Sequence, residues 1–377
     1  MRVGLFSAVL NEGFTGVPNY TYNLIRESSK IIGSDNYCLI NYNENEHFKE
    51  IQQMTIKNPL NAIQSHFPLS SYFWYSLAVQ KINSMAPNLD IIHNPYQVPI
   101  LGSLRHQKYV VTVHDIMQLL YPQYIQKTVF VLQRAFLPQS LKKADMIITD
   151  SYNTKKDLMN HLRVLPEKIA VIPLAADECY HPIDNRRTES FKLKYGIDYP
   201  FILHVGSIKP LKNVTTLIDA FYKLKRLHPD LKLVIAGKER HGVNAIYQQI
   251  EMLNLQHDVI FTGYISQEDL PVLYNTAELF ASPSIYEGFG LPPLEAMACG
   301  TPVITSNTSS LPEVVGDAGI MIDPYDVDGL VQAMHSILRD DTLKQELSKK
   351  GLERARKFSW KLCAEKTVKV YEEVQNL

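Results

Sequence analysis

The chain has 377 residues, enough for two domains with sizeable cores at roughly 100–200 residues per domain. Its 38 Lys and Arg residues against 39 Asp and Glu residues give a formal net charge of -1, which excludes the global basic field of a typical nucleic-acid-binding protein. Hydrophobic residues make up 45% of the chain and charged residues 20%, which excludes an intrinsically disordered protein.

The chain in order begins with alternating predicted strands and helices. Apolar runs predict strands over residues 3–8, 37–40, 91–93, 109–113, 146–149 and 169–172. Apolar residues at helical spacing predict helices over residues 17–31, 128–143 and 154–162. Aromatic residues crowd over residues 66–75, where we leave three alternatives open: an acceptor platform, a lipid-facing patch, or a helix packed in the core.

The alternation pauses over residues 173–200, where prolines, a glycine and a charged run give the composition of a domain boundary. We place that boundary after residue 180, with a second domain over residues 181–358. Further strands are predicted over residues 201–205, 231–236, 259–261, 279–281 and 303–305, and helices over residues 213–227, 243–253, 267–274, 292–298 and 360–374. The pattern predicts an α/β fold with two doubly wound, Rossmann-like domains facing across a ligand cleft.

The cysteines and the lengths of the apolar runs indicate the cellular compartment in which the protein is expected. The cysteines are widely scattered and form no CxxC pair, which predicts neither a zinc site nor a disulfide framework and fits a reducing compartment. The first apolar run is too short for a signal peptide, and no run reaches the roughly 18 residues of a spanning helix. We therefore expect a cytoplasmic protein.

The most informative motif lies over residues 282–300, after a predicted strand. Gly288 and Gly290 let the backbone approach a ligand, and the prolines that follow suit the first turn of a helix whose N-terminal N–H groups can bind phosphate. Glu287 precedes this helix and Glu295 lies in its first turns, and carboxylates accept hydrogen bonds from neighbouring hydroxyls. The motif predicts a site for a phosphate that carries sugar hydroxyls; the alternative is a pair of carboxylates that support the helix dipole or face solvent.

A second strand–loop–helix segment over residues 201–213 carries lysines after a glycine. Lys209 and Lys212 can neutralise a diphosphate, although the segment is no Walker loop because it lacks GxxxxGK(S/T). The alternative is two solvated lysines. Gly237 after the strand over residues 231–236, and Gly16 before the first helix, are weaker signals that a simple turn also explains.

His114 and a DxD pair are the remaining candidates. His114 ends a predicted strand, where three alternatives stay open: a metal pair with Asp115, a structural core histidine, or a histidine that contacts the transferred group. Asp326 and Asp328 have the spacing of metal-dependent sugar transferases, but they precede a helical pattern, so helix N-capping explains them. We predict no metal site.

The spacing of Glu287 and Glu295, with seven residues between them, resembles the E-x7-E signature of family 4 retaining glycosyltransferases of GT-B architecture. The resemblance continues in the expected order over residues 113–115, 171–173, 205–207, 212–213, 261–264, 300–304 and 311–319. It implies a nucleotide-sugar donor bound mainly by the second domain. It also implies that residues 1–180, completed by a C-terminal helix at 359–377, form the domain that binds the acceptor, a glycan or lipid-linked saccharide.

The resemblance also implies roles for single residues of the second domain. Lys212 would contact the diphosphate, Glu295 the ribose hydroxyls, and Glu287 the transferred sugar. Backbone N–H groups would hold sugar and phosphate at Gly288, Phe289, Gly290 and Leu291. The donor would further be bordered by Ser207, Lys209, Gly237, Tyr264 and Ile265, the last two beside the base.

In the first domain, the resemblance puts His114 near the anomeric carbon and lets the loop at Gly16 close on the phosphate. Many family members have Arg where this chain has Ser207, and Lys209 would replace that cation. A small hydroxyl residue there is seen in the mannosyltransferase-like branch, which favours GDP-mannose over UDP- or dTDP-sugars.

The implied reaction is front-face transfer with retention, in which the leaving phosphate accepts the acceptor's proton and neither a metal nor a resident cofactor takes part. It would serve surface polysaccharide or glycoconjugate synthesis, with peripheral contact at the inner face of the membrane as an open alternative. Two other classes stay open: a sugar-nucleotide 2-epimerase of the same architecture and a non-enzymatic two-lobed sugar-binding protein.

Overall fold

A computed structural model describes residues 1–12, 16–57, 69–100, 102–238 and 243–377. The chain divides into two compact units, Met1–Leu174 with Trp360–Leu377, and Ala175–Ser359. We call them the N-terminal unit and the C-terminal unit. The divisions predicted from the sequence lie after residues 180 and 358.

Each unit is built on a parallel sheet. In the N-terminal unit the described strands are β1 (Val3–Phe6), β2 (Tyr37–Asn41), β3 (Gln52–Thr55), β4 (Ile91–Asn94), β5 (Lys108–Val113), β6 (Met146–Thr149) and β7 (Ile169–Val171). In the C-terminal unit they are β8 (Phe201–Val205), β9 (Lys232–Ala236), β10 (Val259–Gly263), β11 (Leu279–Ser282), β12 (Val303–Ser306) and β13 (Ile320–Ile322). Most are short apolar runs, as expected for strands covered on both faces by helices.

The helices that connect and cover these strands follow in chain order. They are α1 (Val17–Ile32), α2 (Leu69–Met85), α3 (Met117–Leu120), α4 (Lys127–Lys143), α5 (Tyr152–Leu162), α6 (Asn185–Tyr195), α7 (Val214–Lys225), α8 (Val243–Met252), α9 (Leu270–Thr276), α10 (Leu291–Ala298), α11 (Leu311–Val315), α12 (Val327–Arg339), α13 (Asp341–Ala355) and α14 (Trp360–Gln375). Within the described ranges, no helix combines the length and the apolar character needed to cross a lipid bilayer.

Both sheets are doubly wound. The strand order is β3-β2-β1-β4-β5-β6-β7 in the N-terminal unit and β10-β9-β8-β11-β12-β13 in the C-terminal unit. The order reverses between β1 and β4 in the first sheet and between β8 and β11 in the second. In open parallel sheets, ligands bind beyond the carboxyl ends of the strands at such a reversal. In the C-terminal unit, a ligand site is therefore expected at the loops that follow β8 and β11.

The C-terminal helix α14 packs into the N-terminal unit. Its buried residue Tyr371 has its hydroxyl 2.6 Å from His93 Nδ1, and His93 Nε2 lies 2.9 Å from Thr112 Oγ1. Thr112 Oγ1 is in turn 2.9 Å from the hydroxyl of Tyr20 on α1. A buried chain of hydrogen bonds thus joins α1, β4, β5 and α14.

Several of the described elements were not predicted from the sequence, among them β3, β13 and α6. β3 is an edge strand whose residues are exposed or half-buried, so it has no apolar run, and β13 is only three residues long. Helix α6 lies inside the segment over residues 173–200 that was interpreted as a domain boundary, and the sequence predicted no helix there. Its residues are mostly polar. Asp184 caps its N-terminus, where the side chain accepts from the Arg187 amide, and Gly196 caps its C-terminus with φ 64°.

The aromatic stretch falls partly outside the described residues, and the side chains of residues 66–72 are among those left out. Of the rest, Trp74 and Tyr75 are buried in the N-terminal core, and Trp74 donates its indole N–H to the Ile56 carbonyl at 2.7 Å. Phe73 is exposed. Core packing therefore accounts for the two buried rings.

Candidate active site

The loops after β8 and β11 are bonded to each other. The Ile285 amide donates to the Leu211 carbonyl at 2.9 Å, and Asn213 Nδ2 donates to the Pro283 carbonyl at 3.0 Å. Both loops lie at the carboxyl edge of the sheet, where the strand order reverses. The C-terminal unit therefore has a cross-linked loop pair at the position where this fold class binds ligands.

Asn213 organises the first of these loops. It is buried and has a left-handed backbone with φ 54°, a conformation that Asn tolerates better than most residues. Besides Pro283, its Nδ2 donates to the Pro324 carbonyl at 2.6 Å, and its Oδ1 accepts from the Thr216 hydroxyl at 2.8 Å. This network fixes the residue that follows Lys212. The sequence predicted no role for Asn213.

Lys212 and Glu287 form an ion pair between the two loops. Lys212 Nζ lies 2.5 Å from Glu287 Oε1, and the two side chains are 12% and 16% exposed. Burial alone would raise the pKa of Glu287, but the Lys212 ammonium outweighs burial and holds that pKa below its ordinary value. Lys209 is close enough to lower it further. The structure thus brings together a carboxylate and two cations that the sequence placed 75 and more positions apart.

The glycines beneath this pair allow close backbone packing. Gly206 has φ 155°, and a Cβ there would lie 3.3 Å from Lys212 Cε. Gly237 has φ 149°, and a Cβ there would lie 2.0 Å from the Gly206 carbonyl oxygen. Gly237 also donates its amide to the Gly263 carbonyl at 2.8 Å. Close contact between the ends of β8 and β9 therefore requires glycine at 237, which is a structural reason for this residue.

Two serines hold the loop between Glu287 and α10. The Ser310 hydroxyl is within hydrogen-bond distance of the carbonyls of Glu287, at 2.8 Å, and Phe289, at 2.6 Å, while the Glu287 amide donates to Ser309 Oγ at 3.0 Å. Gly290 caps α10 with φ 122°. Neither serine was predicted, because their contacts join segments about twenty residues apart and no local pattern marks them.

In the predicted phosphate loop, the side chain of Phe289 packs into the core, whereas the loop can meet a ligand through backbone N–H groups. Phe289 is buried, and its ring packs edge-to-face on Phe358 with centroids 5.9 Å apart. Its side chain therefore belongs to the core, and only its backbone can serve a ligand. Leu291 is the first residue of α10, so its amide N–H lies among those at the N-terminal end that the helix itself does not use.

Glu295 lies on α10 and is 8% exposed. The Tyr274 hydroxyl, from α9, donates to Glu295 Oε2 at 2.9 Å. Burial raises the pKa of Glu295 to about 7, which the tyrosine hydroxyl partly opposes. The pKa values of the two carboxyls are therefore shifted in opposite directions. Lys212 favours the ionised form of Glu287, whereas burial favours the neutral form of Glu295.

The remaining residues predicted around the donor lie on neighbouring loops of the C-terminal unit. Ser207 and Lys209 are half-buried after β8. Tyr264 follows β10 and is 53% exposed, with Lys238 Nζ 5.3 Å from its ring centroid, and Ile265 beside it is half-buried. An exposed aromatic ring with a cation on it can stack against a planar, electron-rich group.

Two family descriptions match this chain, glycosyl transferases group 1 over residues 185–354 and glycosyltransferase family 4 over residues 14–178. O-antigen chain mannosyltransferase B of Escherichia coli is 34% identical over 271 residues, which are 71% of this chain and 71% of that protein. The chain is a family 4 glycosyltransferase. The predicted family and the predicted enzyme class are confirmed.

Further matches agree with this family. The serotype-specific mannosyltransferase WbdA of Escherichia coli is 34% identical over 274 residues, 70% of this chain but 33% of that longer protein. Among solved structures, sucrose-phosphate synthase from Thermosynechococcus elongatus matches with a TM-score of 0.80 at 21% identity, over 99% of both chains. The Anabaena protein HepE in complex with UDP and glucose matches with a TM-score of 0.77 at 18% identity, over 99% of both chains. The predicted class, two Rossmann-like α/β domains of GT-B type, is confirmed.

In the N-terminal unit of the glycosyltransferase, protein groups engage both ring nitrogens of His114. Nδ1 lies 2.6 Å from Asp150 Oδ2, and Nε2 lies 3.0 Å from the Pro95 carbonyl oxygen. Burial alone lowers the pKa of His114, but the Asp150 carboxylate outweighs burial and raises that pKa above its ordinary value. Two acceptors around one ring favour the doubly protonated imidazolium, which links the ends of β4, β5 and β6.

The acidic residues considered as metal ligands accept backbone hydrogen bonds instead. Asp115 Oδ1 accepts from the Met117 amide at 3.0 Å, and Asp326 Oδ1 accepts from the Gly329 amide at 2.8 Å. The predicted N-cap role of Asp326 is confirmed. Among the described residues, no group of three or more His, Cys, Asp and Glu side chains could hold a metal ion.

Gly16 caps α1 with φ 55°, and a Cβ there would meet nothing within 4 Å. The loop before it, residues 13–15, lies outside the described residues.

Proposed function

We propose that this glycosyltransferase moves a hexose from a nucleotide sugar to a glycan or lipid-linked saccharide in surface polysaccharide or glycoconjugate synthesis. The donor of first choice is GDP-mannose, with UDP- and dTDP-sugars as the alternatives. The two Escherichia coli relatives described above are named mannosyltransferases, which supports mannose as the sugar. The observation that carries the proposal is the Lys212–Glu287 pair at the carboxyl ends of β8 and β11.

The pair suggests an exchange of partners when the donor binds. Cleavage of the sugar–phosphate bond develops negative charge on the diphosphate and positive charge on the sugar ring. In the proposed complex the Lys212 ammonium leaves Glu287 for the diphosphate, with Lys209 and the amides at the start of α10 beside it. Glu287 then accepts hydrogen bonds from hydroxyls of the transferred sugar. In the structure, each group neutralises the charge of the other.

The proposed stereochemistry is retention by front-face attack. A double displacement would need a carboxylate on the far face of the sugar, and the sequence offers no candidate for it. The acceptor hydroxyl therefore approaches from the face of the leaving group, and a leaving phosphate oxygen takes its proton. In this scheme the Lys212 cation and the helix N-terminus stabilise the departing diphosphate without a metal ion.

The other assignments stay predictions of the resemblance. They comprise donor contacts by Ser207, Gly237, Tyr264, Ile265 and the backbone of residues 288–291, ribose contacts by Glu295, and the roles of Gly16 and His114. His114 Nε2 would have to give up the Pro95 carbonyl before it could donate to a sugar hydroxyl. A cytoplasmic location and peripheral contact with the membrane likewise stay predictions.

The test offers the purified enzyme GDP-mannose, UDP-glucose and dTDP-glucose, each with a mannose-terminated saccharide, and determines the anomeric configuration of the product by NMR. We expect transfer from GDP-mannose with retention. Transfer only from a UDP- or dTDP-sugar would overturn the donor assignment, and an inverted product would overturn the mechanism. Conversion of the donor sugar without any acceptor would favour the epimerase alternative.

A further inference from the structure

Glu295 sits in the C-terminal unit in a hydrogen-bonding arrangement that differs from that of Glu287. It is 8% exposed, and its Oε2 accepts a hydrogen bond from Tyr274, a fully buried residue of α9. Tyr274 is itself fixed, because the Thr301 hydroxyl donates to its carbonyl at 2.7 Å and the Tyr180 ring packs edge-on against it at 5.8 Å. The phenol therefore reaches the carboxyl from a rigid position.

No ion pair of the described residues includes Glu295. The titratable groups that face it come from the segment after β7, from α9, from the end of α10 and from the loop after β8: Asp177, Cys179, Tyr180, Tyr274, Cys299 and Lys212. Asp177 disfavours the ionised form, the two tyrosine hydroxyls favour it, and Lys212 favours it from farther away. Burial is the largest influence and raises the pKa of Glu295 to about 7.

A buried carboxyl without a bonded cation is costly to ionise, and hydroxyl donors reduce this cost. An ionised carboxylate has about four acceptor positions, of which the hydroxyls of Tyr274 and Tyr180 use two. A ligand that brings two adjacent hydroxyls would supply further donors at the remaining positions. Such a ligand binds the ionised form more tightly than the neutral form, so its binding must displace the proton.

We propose that Tyr274 is a positioning residue that holds the Glu295 carboxylate for the ribose of the nucleotide donor, and that binding of a ribonucleotide releases the Glu295 proton to solvent. The proposal rests on the proposed function, because it takes a nucleoside diphosphate as the ligand. It adds that affinity for the donor rises as pH increases through neutrality. It also makes the Glu295–Tyr274 pair the element that selects ribose over 2′-deoxyribose, and hence disfavours dTDP-sugars.

Proton release is measured by calorimetry of GDP binding at about pH 7, in two buffers with different ionisation enthalpies. The phosphate of GDP also exchanges protons, so the comparison is with Glu295→Gln, which keeps the phosphate and removes the carboxyl. We expect the wild-type enzyme to release up to about one proton more than Glu295→Gln. Equal proton release by both enzymes would overturn the proposal.

The positioning role is measured as the pH profile of the GDP dissociation constant. Tyr274→Phe removes one hydroxyl that favours the ionised carboxylate, so binding should weaken by about tenfold near pH 6.5 and return to within about twofold of wild type near pH 8.5. Loss of affinity by the same factor at every pH would indicate a merely structural role and would overturn the proposal. Tyr222→Phe is the control, because the Tyr222 hydroxyl accepts an exposed hydrogen bond from Arg226 at 3.4 Å and has no role in the predicted site.

A third measurement uses the unaltered enzyme and does not depend on a variant that folds. The 2′-deoxy form of GDP lacks one hydroxyl, so we expect it to bind about tenfold more weakly than GDP above pH 7 and to release less proton. Equal affinity for both nucleotides would overturn the proposal while the proposed function stood. Failure of the enzyme to bind any nucleoside diphosphate would instead count against the proposed function.

Discussion

Lys212 and Glu287 are 75 positions apart in the sequence, and their Nζ and Oε1 atoms lie 2.5 Å apart in the structure. Each group is the main polar neighbour that compensates the charge of the other in a largely covered position. The pair is therefore both a stabilising contact and, in the proposed reaction, the source of the two charges that the donor needs. Variants of one partner should separate these two contributions.

Lys212→Ala and Glu287→Ala should each lower the rate of sugar transfer by about 10²–10³-fold, because each removes a charge aimed at the departing diphosphate or at the sugar. Each should also destabilise the C-terminal unit by about 3 kcal/mol, since one charge is left without its partner. Lys223→Ala is the control: its pair with Asp328 is exposed, and the expected cost is at most about 1 kcal/mol with normal turnover. Near-normal turnover in both site variants would reject the assigned roles.

Asn213 offers a test of how the site is held. Asn213→Gly keeps the left-handed backbone and loses the side-chain hydrogen bonds to the carbonyls of Pro283 and Pro324. Asn213→Ala loses the same hydrogen bonds, and its Cβ also disfavours the left-handed backbone. The alanine variant should therefore be the less stable of the two by about 1 kcal/mol, as measured by urea unfolding. Both should transfer sugar more slowly than wild type because Lys212 is no longer fixed. Equal stability of the two variants would show that backbone strain is unimportant here.

Two glycines with positive φ allow a controlled test of the close packing of β8 against β9. A Cβ at Gly237 would lie 2.0 Å from the Gly206 carbonyl oxygen, whereas a Cβ at Gly263, φ 66°, would meet nothing within 4 Å. Gly263→Ala should therefore cost only the conformational strain, about 1–2 kcal/mol, while Gly237→Ala should cost clearly more because backbone must move. Thermal unfolding of the two variants measures the difference. Equal costs would contradict the close approach at residue 237.

The stability of the N-terminal unit should depend on pH through two histidines whose pKa values are shifted in opposite directions. Burial lowers the pKa of His93 to about 3, so its contribution is lost as pH falls below about 6.5, by up to about 1.4 kcal/mol per pH unit. The pKa of His114 is raised by Asp150, so its contribution is complete below about pH 6.5 and is lost as pH rises through the folded-state value.

Urea unfolding of His93→Gln and His114→Gln over about pH 4–8 tests these signs. His93→Gln should flatten the loss of stability on the acid side, and His114→Gln should flatten the loss on the neutral side. If His93→Gln kept the full acid dependence of the wild type, burial of neutral His93 would not be its cause.

The DxD pair allows a direct test of metal dependence. Asp326→Asn keeps a good N-cap and Asp326→Ala removes it, so the alanine variant alone should lose about 1 kcal/mol of stability. Transfer by the wild-type enzyme and by Asp326→Asn should be equal, and both should persist in excess EDTA. Abolition of transfer by EDTA, restored by a divalent cation, would overturn the metal-independent scheme.

The sequence was informative wherever one local pattern determines the structure. The strand over residues 201–205 was predicted with the bounds that the structure has, because five apolar or buried residues lie between a proline and a glycine. The polar edge strand β3 and helix α6 were missed, since their residues are only partly covered and show no apolar periodicity. Hydrophobic periodicity in a sequence reflects which residues are buried. Elements with little buried surface therefore cannot be predicted from it.

The site divides in the same way. Lys212, Glu287 and Glu295 could be proposed from the sequence, because each has a charged side chain within a strand–loop–helix motif. Their supports could not be. Ser310, the Tyr274 hydroxyl and Asp150 act through contacts with residues 21 to 36 positions away, and only the tertiary fold brings them into contact.

Helix α14 makes the N-terminal unit discontinuous in sequence: Tyr371 bonds to His93, although the whole C-terminal unit lies between them in the chain. During synthesis, residues 175–359 can reach their final structure while the sheet that precedes them still lacks a covering helix. A ribosome-bound chain that stops before Trp360 should therefore expose the surface where α14 belongs and depend on chaperones. The N-terminal unit, although it is translated first, thus cannot be completed until α14 has been synthesised.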